Sequence, residues 1–494
     1  MESVYQINPK DNVAVALRNL KAGESIRAGG ACAVLRSDVP AGHKAALRNI
    51  AEGGPIVKYG FPIGTASRAI AAGEWVHTHN VKTGLGELLE YTYRPDFREP
   101  EPAAPETFPG YRRKDGKVGI RNEVWIIPTV GCVNSVARQI EEESQRFLTP
   151  ELDGIFAFSH PYGCSQLSQD LRNTQLALAG LIRHPNAGAV LVLSLGCENN
   201  NIEEMKKVLG PYDPDRVKFL VCQDQEDEVA AGVAAVRELC AYASRFRREP
   251  CGADQLVVGL KCGGSDGFSG ITANPLLGSF TNRITACGGT AILTEVPEMF
   301  GAETILMNRC RSEAVFRKTV DLINGFKQYF MDYHQKIDSN PSPGNKAGGI
   351  TTLEDKSLGC VQKGGTAPVS GVLMYGSPVK EKGLNLLQAP GNDLVSSTAL
   401  AVSGAQLVLF TTGRGTPFGS PVPTVKISSN SNLARRKPGW IDFNAGRLLE
   451  GESMESLSRE FYRFVLSVAS GEKQTKADQL GRRELAVFKN GVTL

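Results

Sequence analysis

Five cysteines stand where apolar runs meet glycine. Thr129-Val130-Gly131-Cys132, Pro161-Tyr162-Gly163-Cys164 and Ser194-Leu195-Gly196-Cys197 repeat one pattern. Leu260-Lys261-Cys262-Gly263-Gly264 ends another apolar run, and Leu358-Gly359-Cys360 lies in a long polar segment. In open parallel sheets, ligands bind beyond the carboxyl ends of strands. Glycine there lets the backbone turn and a ligand approach. Thiolates so placed can hold iron, as a single ion or as a cluster. The alternative reading is a small apolar residue at a crowded strand end. Spacings of 32, 33 and 65 residues match no compact cluster motif. Glu198, with Asn199, Asn200 and Asn201, adds oxygen and amide ligands after Cys197, and Glu295 stands after a similar run.

Histidine offers a second chemistry. The chain has six histidines, and His43, His77 and His79 fall within its first 80 residues. On a strand, residues two apart share a face, so His77 and His79 are expected to act together on a metal or an anion, with His43 joining them. Exposed turn histidines are the competing reading. Lys346 and Lys356, in the charged stretch from Pro341 to Ser357, are candidates for proton transfer. Arg414 lies between Gly413 and Gly415 after an apolar run. A guanidinium fork beside exposed backbone amides suits a carboxylate, and Thr416 adds a hydroxyl. A plain glycine turn, or an Arg414–Asp393 pair, is the alternative. Lys261 to Gly267 lacks the spacing of a phosphate loop, and no complete Gly-x-Gly-x-x-Gly opens a helix, which disfavours a nicotinamide enzyme.

The elements that must hold these residues fall into four parts. Residues 1–93 show a glycine or proline turn every ten to twenty residues, which suggests a compact, mostly β module. Within it, Asp11 is expected to cap a helix from Asn12 to Leu20. Residues 94–109 carry five prolines among sixteen residues and read as an extended linker. In residues 110–250 short apolar runs (Val124–Val130, Gly154–Ser159, Ala189–Leu195, Arg216–Val221) alternate with expected helices at Ser135–Phe147, Ser168–Arg183 and Asp227–Arg247. Continuous apolar strands separated by helices indicate a parallel sheet covered on both faces. Residues 251–494 repeat the alternation, with strands expected at Leu256–Leu260, Thr290–Thr294, Gly371–Tyr375 and Gln406–Thr411. Helices are expected at Glu313–His334 and Ser453–Ser470, whereas Ile337–Thr366 shows no period and reads as a functional loop.

Composition excludes several classes. The 494 residues include 55 basic and 52 acidic side chains, a balance of +3 without the basic excess of a nucleic-acid binder. No apolar run approaches the ~20 residues of a membrane span. The opening residues Met1 to Gln6 show no secretory leader, so a cytoplasmic location is expected. In that reducing compartment the eleven cysteines are expected to be thiols.

Taken together, the strings resemble the altronate/galactarate dehydratase family. They are GHK (Gly42–Lys44), HTHN (His77–Asn80), VGIRNE (Val118–Glu123), PTVGCVN (Pro128–Asn134), GCSQ (Gly163–Gln166) and GCENN (Gly196–Asn200). They continue with CGGSDGFSGITANP (Cys262–Pro275), TEVPEMFGAE (Thr294–Glu303), Asn340–Cys360, APGND (Ala389–Asp393) and TGRGTP (Thr412–Pro417). Cys32, Cys222, Cys240, Cys251, Cys287 and Cys310 lie outside them. The resemblance implies a β-clip (SAF-like) first domain, an α/β middle domain used in dimerisation and a Rossmann-like catalytic C-terminal domain with a parallel sheet. It also implies a hydro-lyase dependent on Fe(2+), or on Mn(2+), that turns D-altronate into 2-dehydro-3-deoxy-D-gluconate in hexuronate catabolism. The expected metal ligands are Cys132, Cys164, Cys197, Cys262, Cys360 and Glu198. Lys346, Lys356, His77, His79 and His43 are the expected catalytic groups, and Arg414, Thr416, Ser265, Asp266 and Asn392 the expected substrate contacts. A homodimer is expected, with no nucleic-acid or membrane partner. Rival readings are a galactarate dehydratase, an iron–sulfur dehydratase and a non-catalytic sugar-acid binder.

Overall fold

The computed structural model describes residues 3–86 and 88–491. The first domain is built from short antiparallel strands. Val4–Tyr5, Val13–Ala16, Lys44–Ala46 and Trp75–Val76 form a four-stranded sheet. Pro55–Lys58, Phe61–Ala66 and Val81–Lys82 form a second sheet. The expected helix at 12–20 is absent. Val13–Ala16 is a strand buried at all four positions. Covering both faces removed the alternation that marks a strand, and Asp11, read as a helix cap, instead accepts from the amides of Asn8 and Gly60.

The segment after this domain has little regular structure until Thr107, yet it is fastened down. Tyr91 donates to Glu303 at 2.6 Å and Tyr93 to the Cys310 carbonyl at 2.7 Å. Thr107–Arg112 then pairs with both Val118–Gly119 and Arg248–Gly252.

Two parallel sheets follow. In the first, β1 (Glu123–Pro128), β2 (Gly154–Ala157), β3 (Ala187–Ser194) and β4 (Val217–Val221) run in the order β2-β1-β3-β4. The helices Asn134–Ser144, Ser168–Ile182 and Glu228–Ala243 match the expected periods. In the second, β5 (Val257–Cys262), β6 (Thr290–Leu293), β7 (Val369–Leu373), β8 (Gly383–Leu387), β9 (Leu407–Thr412), β10 (Thr424–Ser428) and β11 (Phe443–Asn444) run in the order β7-β8-β6-β5-β9-β10-β11. All its pairings are parallel. The chain leaves β5 first towards β6 and later returns to the other side as β9. The crevice between the loops after β5 and β9 is therefore the switch point where such sheets bind ligands.

The stretch 337–366 is not a bare loop. It contains helices Pro343–Ala347 and Leu353–Cys360 and a tight turn, Val361–Gly364. Every residue of Leu353–Cys360 is buried, so its sequence carries no amphipathic period.

Candidate active site

The buried charge of the molecule concentrates at the carboxyl ends of β5 and β6. Lys261 and Cys262 close β5. Glu295 follows β6 in a left-handed conformation (φ 70°), rare for a side chain of its size and fully buried here. Glu298 sits on the next turn, Val296–Met299. Cys360 and Lys363 come from the end of the buried helix and its following turn, three residues apart.

Cys262 Sγ and Cys360 Sγ are 3.4 Å apart, and Glu298 Oε2 lies 3.2 Å from the first and 3.1 Å from the second. Lys363 Nζ is 2.9 Å from both Cys262 Sγ and Glu295 Oε2. Lys261 bridges Glu295 and Asp393 and donates to the Cys262 carbonyl. Lys356 pairs with Glu298 at 2.8 Å and donates to Asn340 and Asn345. Three ammonium groups thus meet three carboxylates, and all of these side chains but Asp393 are buried. Such a cluster persists only when each charge is paired, because an unpaired buried ion is very costly.

The charges tune one another. Burial opposes ionisation of Glu298, but Lys356, Lys261 and Lys363 outweigh it and hold the carboxyl well below its usual range. Burial likewise opposes the Lys363 charge, and Cys262 and Glu295 keep it an ammonium. Cys360 is pushed well up by its bond with Cys262, by burial and by the Glu298 carboxylate, so it is a neutral thiol. Cys262, Glu298 and Cys360 place their ligand atoms within 4.8 Å of one another. Two sulfurs and a carboxylate suit a thiophilic divalent ion, whose binding would expel the Cys360 proton.

The first domain grips the segment that carries Lys356. Lys44 Nζ reaches Gly349 O and Asp355 Oδ2, both at 2.8 Å, and Lys58 takes Asp355 Oδ1 at 2.9 Å. Those lysines outweigh burial and hold Asp355 ionised. Thr352 donates to Ile63 O, and Glu354 accepts from Thr83 and Gly84. Here too lie two of the three histidines. His43 Nε2 meets Ala347 O at 3.3 Å while its Nδ1 accepts from Trp75, and His77 Nδ1 meets Thr351 Oγ1 at 3.1 Å. Burial keeps both imidazoles neutral; His77 is pulled down to about 3, with Lys44 adding to the effect. The expectation that His77 and His79 share a strand face is corrected. The strand ends at Val76, a turn closes between His77 and Asn80, and His79 is exposed.

The remaining expected residues separate. Lys346 is exposed. Arg414 is exposed at the end of β9, its amide bonded to Gly264 O at 3.0 Å, and its side chain runs past Gly344. Asp393 is taken by Lys261, so the suggested Arg414–Asp393 pair does not form. Thr416 accepts from Phe418 N. Ser265 is buried with its hydroxyl unpartnered. Asp266 is consumed by the fold: Ser269, Ser429, Asn430 and two amides occupy its carboxylate. Asn392 caps helix Asp393–Val402.

The expected metal set divides in two. Cys262 and Cys360 belong to the buried centre, whereas Cys132, Cys164 and Cys197 are exposed on the middle-domain sheet. Glu198 is not free to ligate, since Thr129, Ser194 and the amides of Leu195 and Gly196 fill its oxygens. Glu298 and Lys363 were missed. Their signal was local: Glu295 and Glu298, like Cys360 and Lys363, are three apart, the spacing that puts two side chains on one face of a helical turn.

Three family models match the chain. Residues 2–84 match the altronate/galactarate dehydratase SAF domain, 110–244 the D-galactarate dehydratase/altronate hydrolase second domain, and 253–493 the D-galactarate/altronate dehydratase C-terminal domain. The chain is 54% identical to the altronate dehydratase of Escherichia coli K12 over 99% of each chain. It is also 54% identical to the altronate dehydratase of Bacillus subtilis 168 over the full length of both. Identity to the galactarate dehydratase (L-threo-forming) of E. coli K12 is 34%, over 98% of this chain and 96% of that one.

Proposed function

The chain belongs to the altronate/galactarate dehydratase family, and from that premise we propose that it removes water from D-altronate to give 2-dehydro-3-deoxy-D-gluconate. The observation that carries this reading is the end-to-end identity of 54% to two altronate dehydratases, against 34% to the galactarate enzyme.

The reaction removes the C2 proton and expels the C3 hydroxyl as water, and the enol formed becomes the 2-ketone. The C2 proton is only weakly acidic beside a carboxylate, so developing negative charge must be stabilised. Cys262, Glu298 and Cys360 would hold the ion, ferrous iron or manganese, which would supply Lewis acidity for that charge. Arg414, without a carboxylate partner among the described residues, would fix the substrate carboxylate in the switch-point crevice. Lys356 is the proton donor to the leaving hydroxyl, because Glu298 keeps it charged despite burial. His77 is the proton acceptor: its ring is steadied by Thr351 and is left unprotonated by burial, which also makes it a weak base. His43, with both ring nitrogens engaged, positions the pair. The same reading includes a cytoplasmic homodimer.

The test is an anaerobic assay of 2-keto acid formation from D-altronate and galactarate side by side, with chelated and iron-restored protein. Altronate should be preferred by more than ~10-fold in kcat/KM, a transition-state difference above ~1.4 kcal/mol. Chelation should abolish turnover and ferrous iron restore it. Preference for galactarate, or full activity in metal-free protein, would overturn the reading.

A further inference from the structure

We propose that Cys132, Cys164 and Cys197 form a second metal centre, separate from the buried one, which holds an iron–sulfur cluster through three thiolates and leaves one iron open. The proposal does not rest on the reaction assigned above.

The three cysteines follow β1, β2 and β3, which are adjacent and parallel in the order β2-β1-β3. All three therefore emerge at one carboxyl edge. Each is preceded by a glycine, and two of these glycines are where neighbouring turns touch. A Cβ on Gly131 would lie 2.8 Å from His160 O, and one on Gly163 only 2.0 Å from Thr129 O. No other residue allows that approach. Hydrogen bonds then lock the turns together. Gly131 N donates to Tyr162 O, Asn200 N to Gly163 O, and Asn200 Nδ2 to Thr129 O. Ser165 N donates to Asn199 Oδ1 across to the third turn. Glu198, which seemed a ligand, instead ties the third turn to Thr129 of the first.

Two side chains of the cradle have polar atoms to spare. Asn200 Oδ1 and Gln166 Nε2 are buried beside the cysteine turns with no hydrogen-bond partner, although the same side chains make the bonds that shape them. Unpaired buried polar atoms are costly and need a reason. Ser165 sits at φ 56° and Ser168 at φ 46°, strain that tends to gather at functional sites. Gln223 Nε2 lies 3.5 Å from Cys197 Sγ, the kind of N–H contact that tunes a cluster sulfur.

Two contrasts choose the ligand. The thiols of the buried centre lie against lysines and carboxylates, whereas among the described residues the only partners of these three are Ser165 Oγ and Gln223 Nε2. Nothing charged competes for the sulfurs. Among the described residues, the three sulfurs do not form a group whose ligand atoms all lie within 4.8 Å of one another. Thiolates on a single tetrahedral ion, with bonds of ~2.3 Å, must sit about 3.8 Å apart. Thiolates on different irons of a cubane stand farther apart, which suits a cluster spanning adjacent strand ends. The fourth strand also ends in a cysteine, but Cys222 is buried and its thiol is pushed up to about 11, chiefly by burial. It packs in the core, so the ligand set is three.

The full chain is reconstituted anaerobically with iron, sulfide and dithiothreitol, desalted, and analysed for iron, acid-labile sulfide and visible absorbance. The wild type should turn brown and hold about four sulfides and about five irons, four in the cluster and one at the buried centre. Cys132→Ala, Cys164→Ala and Cys197→Ala alter exposed positions, and circular dichroism confirms that each folds. Each should lose most of the sulfide and the visible band, while Cys360→Ala keeps both. Iron without labile sulfide in the wild type, a cluster that survives all three exposed substitutions, or one that vanishes with Cys360 would overturn the proposal.

Discussion

Two parallel sheets of this chain present cysteine at the carboxyl ends of their strands, and the two ends could hardly differ more. On the second sheet Cys262 meets Cys360, Glu298 and Lys363 in a site closed to solvent and packed with matched charges. On the first, Cys132, Cys164 and Cys197 stand exposed on turns joined by backbone and amide hydrogen bonds and by the Glu198 carboxylate. The sequence signature is the same, glycine beside cysteine after an apolar run. What separates the chemistries is what the rest of the chain brings. The helix Leu353–Cys360, clasped by the first domain, and the turn after it together deliver a thiol and two lysines to one sheet. Among the described residues no such element covers the other.

The difference is sharpened most strongly by Lys363→Ala. It leaves Glu295 and Cys262 short of a buried cation, so denaturant unfolding should show a loss of about 3–5 kcal/mol. A loss under ~1 kcal/mol would mean that the cluster is not held by its charge balance. The seam between the sheets gives the next effect. His184 on the middle domain bonds Ala405 O of the C-terminal domain, and burial pulls its imidazole down to about 3. Folded His184 is neutral where the unfolded chain, with its ordinary value near 6.5, takes up a proton. Stability is therefore whole above pH 6.5 and falls as pH drops towards 3, by about 2 kcal/mol at pH 5. His184→Gln should flatten that slope, and an unchanged slope would place the titration elsewhere.

Arg414→Lys keeps a charge at the end of β9 but loses the planar fork. It should cost about 10-fold in kcat/KM, about 1.4 kcal/mol, mostly through KM, with folding intact. Wild-type kinetics would show that Arg414 is not the anchor. The mildest probe is alkylation of native apoprotein followed by peptide mapping. Cys132, Cys164 and Cys197 should label with the exposed Cys32, while Cys262 and Cys360 stay protected until the chain unfolds. Early labelling of Cys262 would erase the distinction between the two ends.

Much of this was legible in the residues. Ala189–Leu195 reads as a strand covered on both faces and forms part of β3, and the glycine–cysteine turns fall at strand ends as their pattern implies. Reading failed where burial is complete. Val13–Ala16 and Leu353–Cys360 are buried on every side, and a segment without a wet face has no period to betray it. The site was half visible for a related reason. Cys262, Glu298, Cys360 and Lys363 meet only through tertiary structure, and nothing local told the cysteines with ionic partners from those without. Asp266 and Asn392 stand in distinctive strings, yet the first braces a loop and the second caps a helix.

The central claim is that the chemistry resides at the buried centre around Glu298, which both thiols and Lys356 share. It is tested most directly by kcat/KM for D-altronate in Glu298→Gln, which keeps the size of the side chain and removes its charge, measured alongside circular dichroism and thermal unfolding. A folded variant reduced at least ~100-fold is the predicted result. A folded Glu298→Gln protein that dehydrates altronate at close to the wild-type rate would contradict the account.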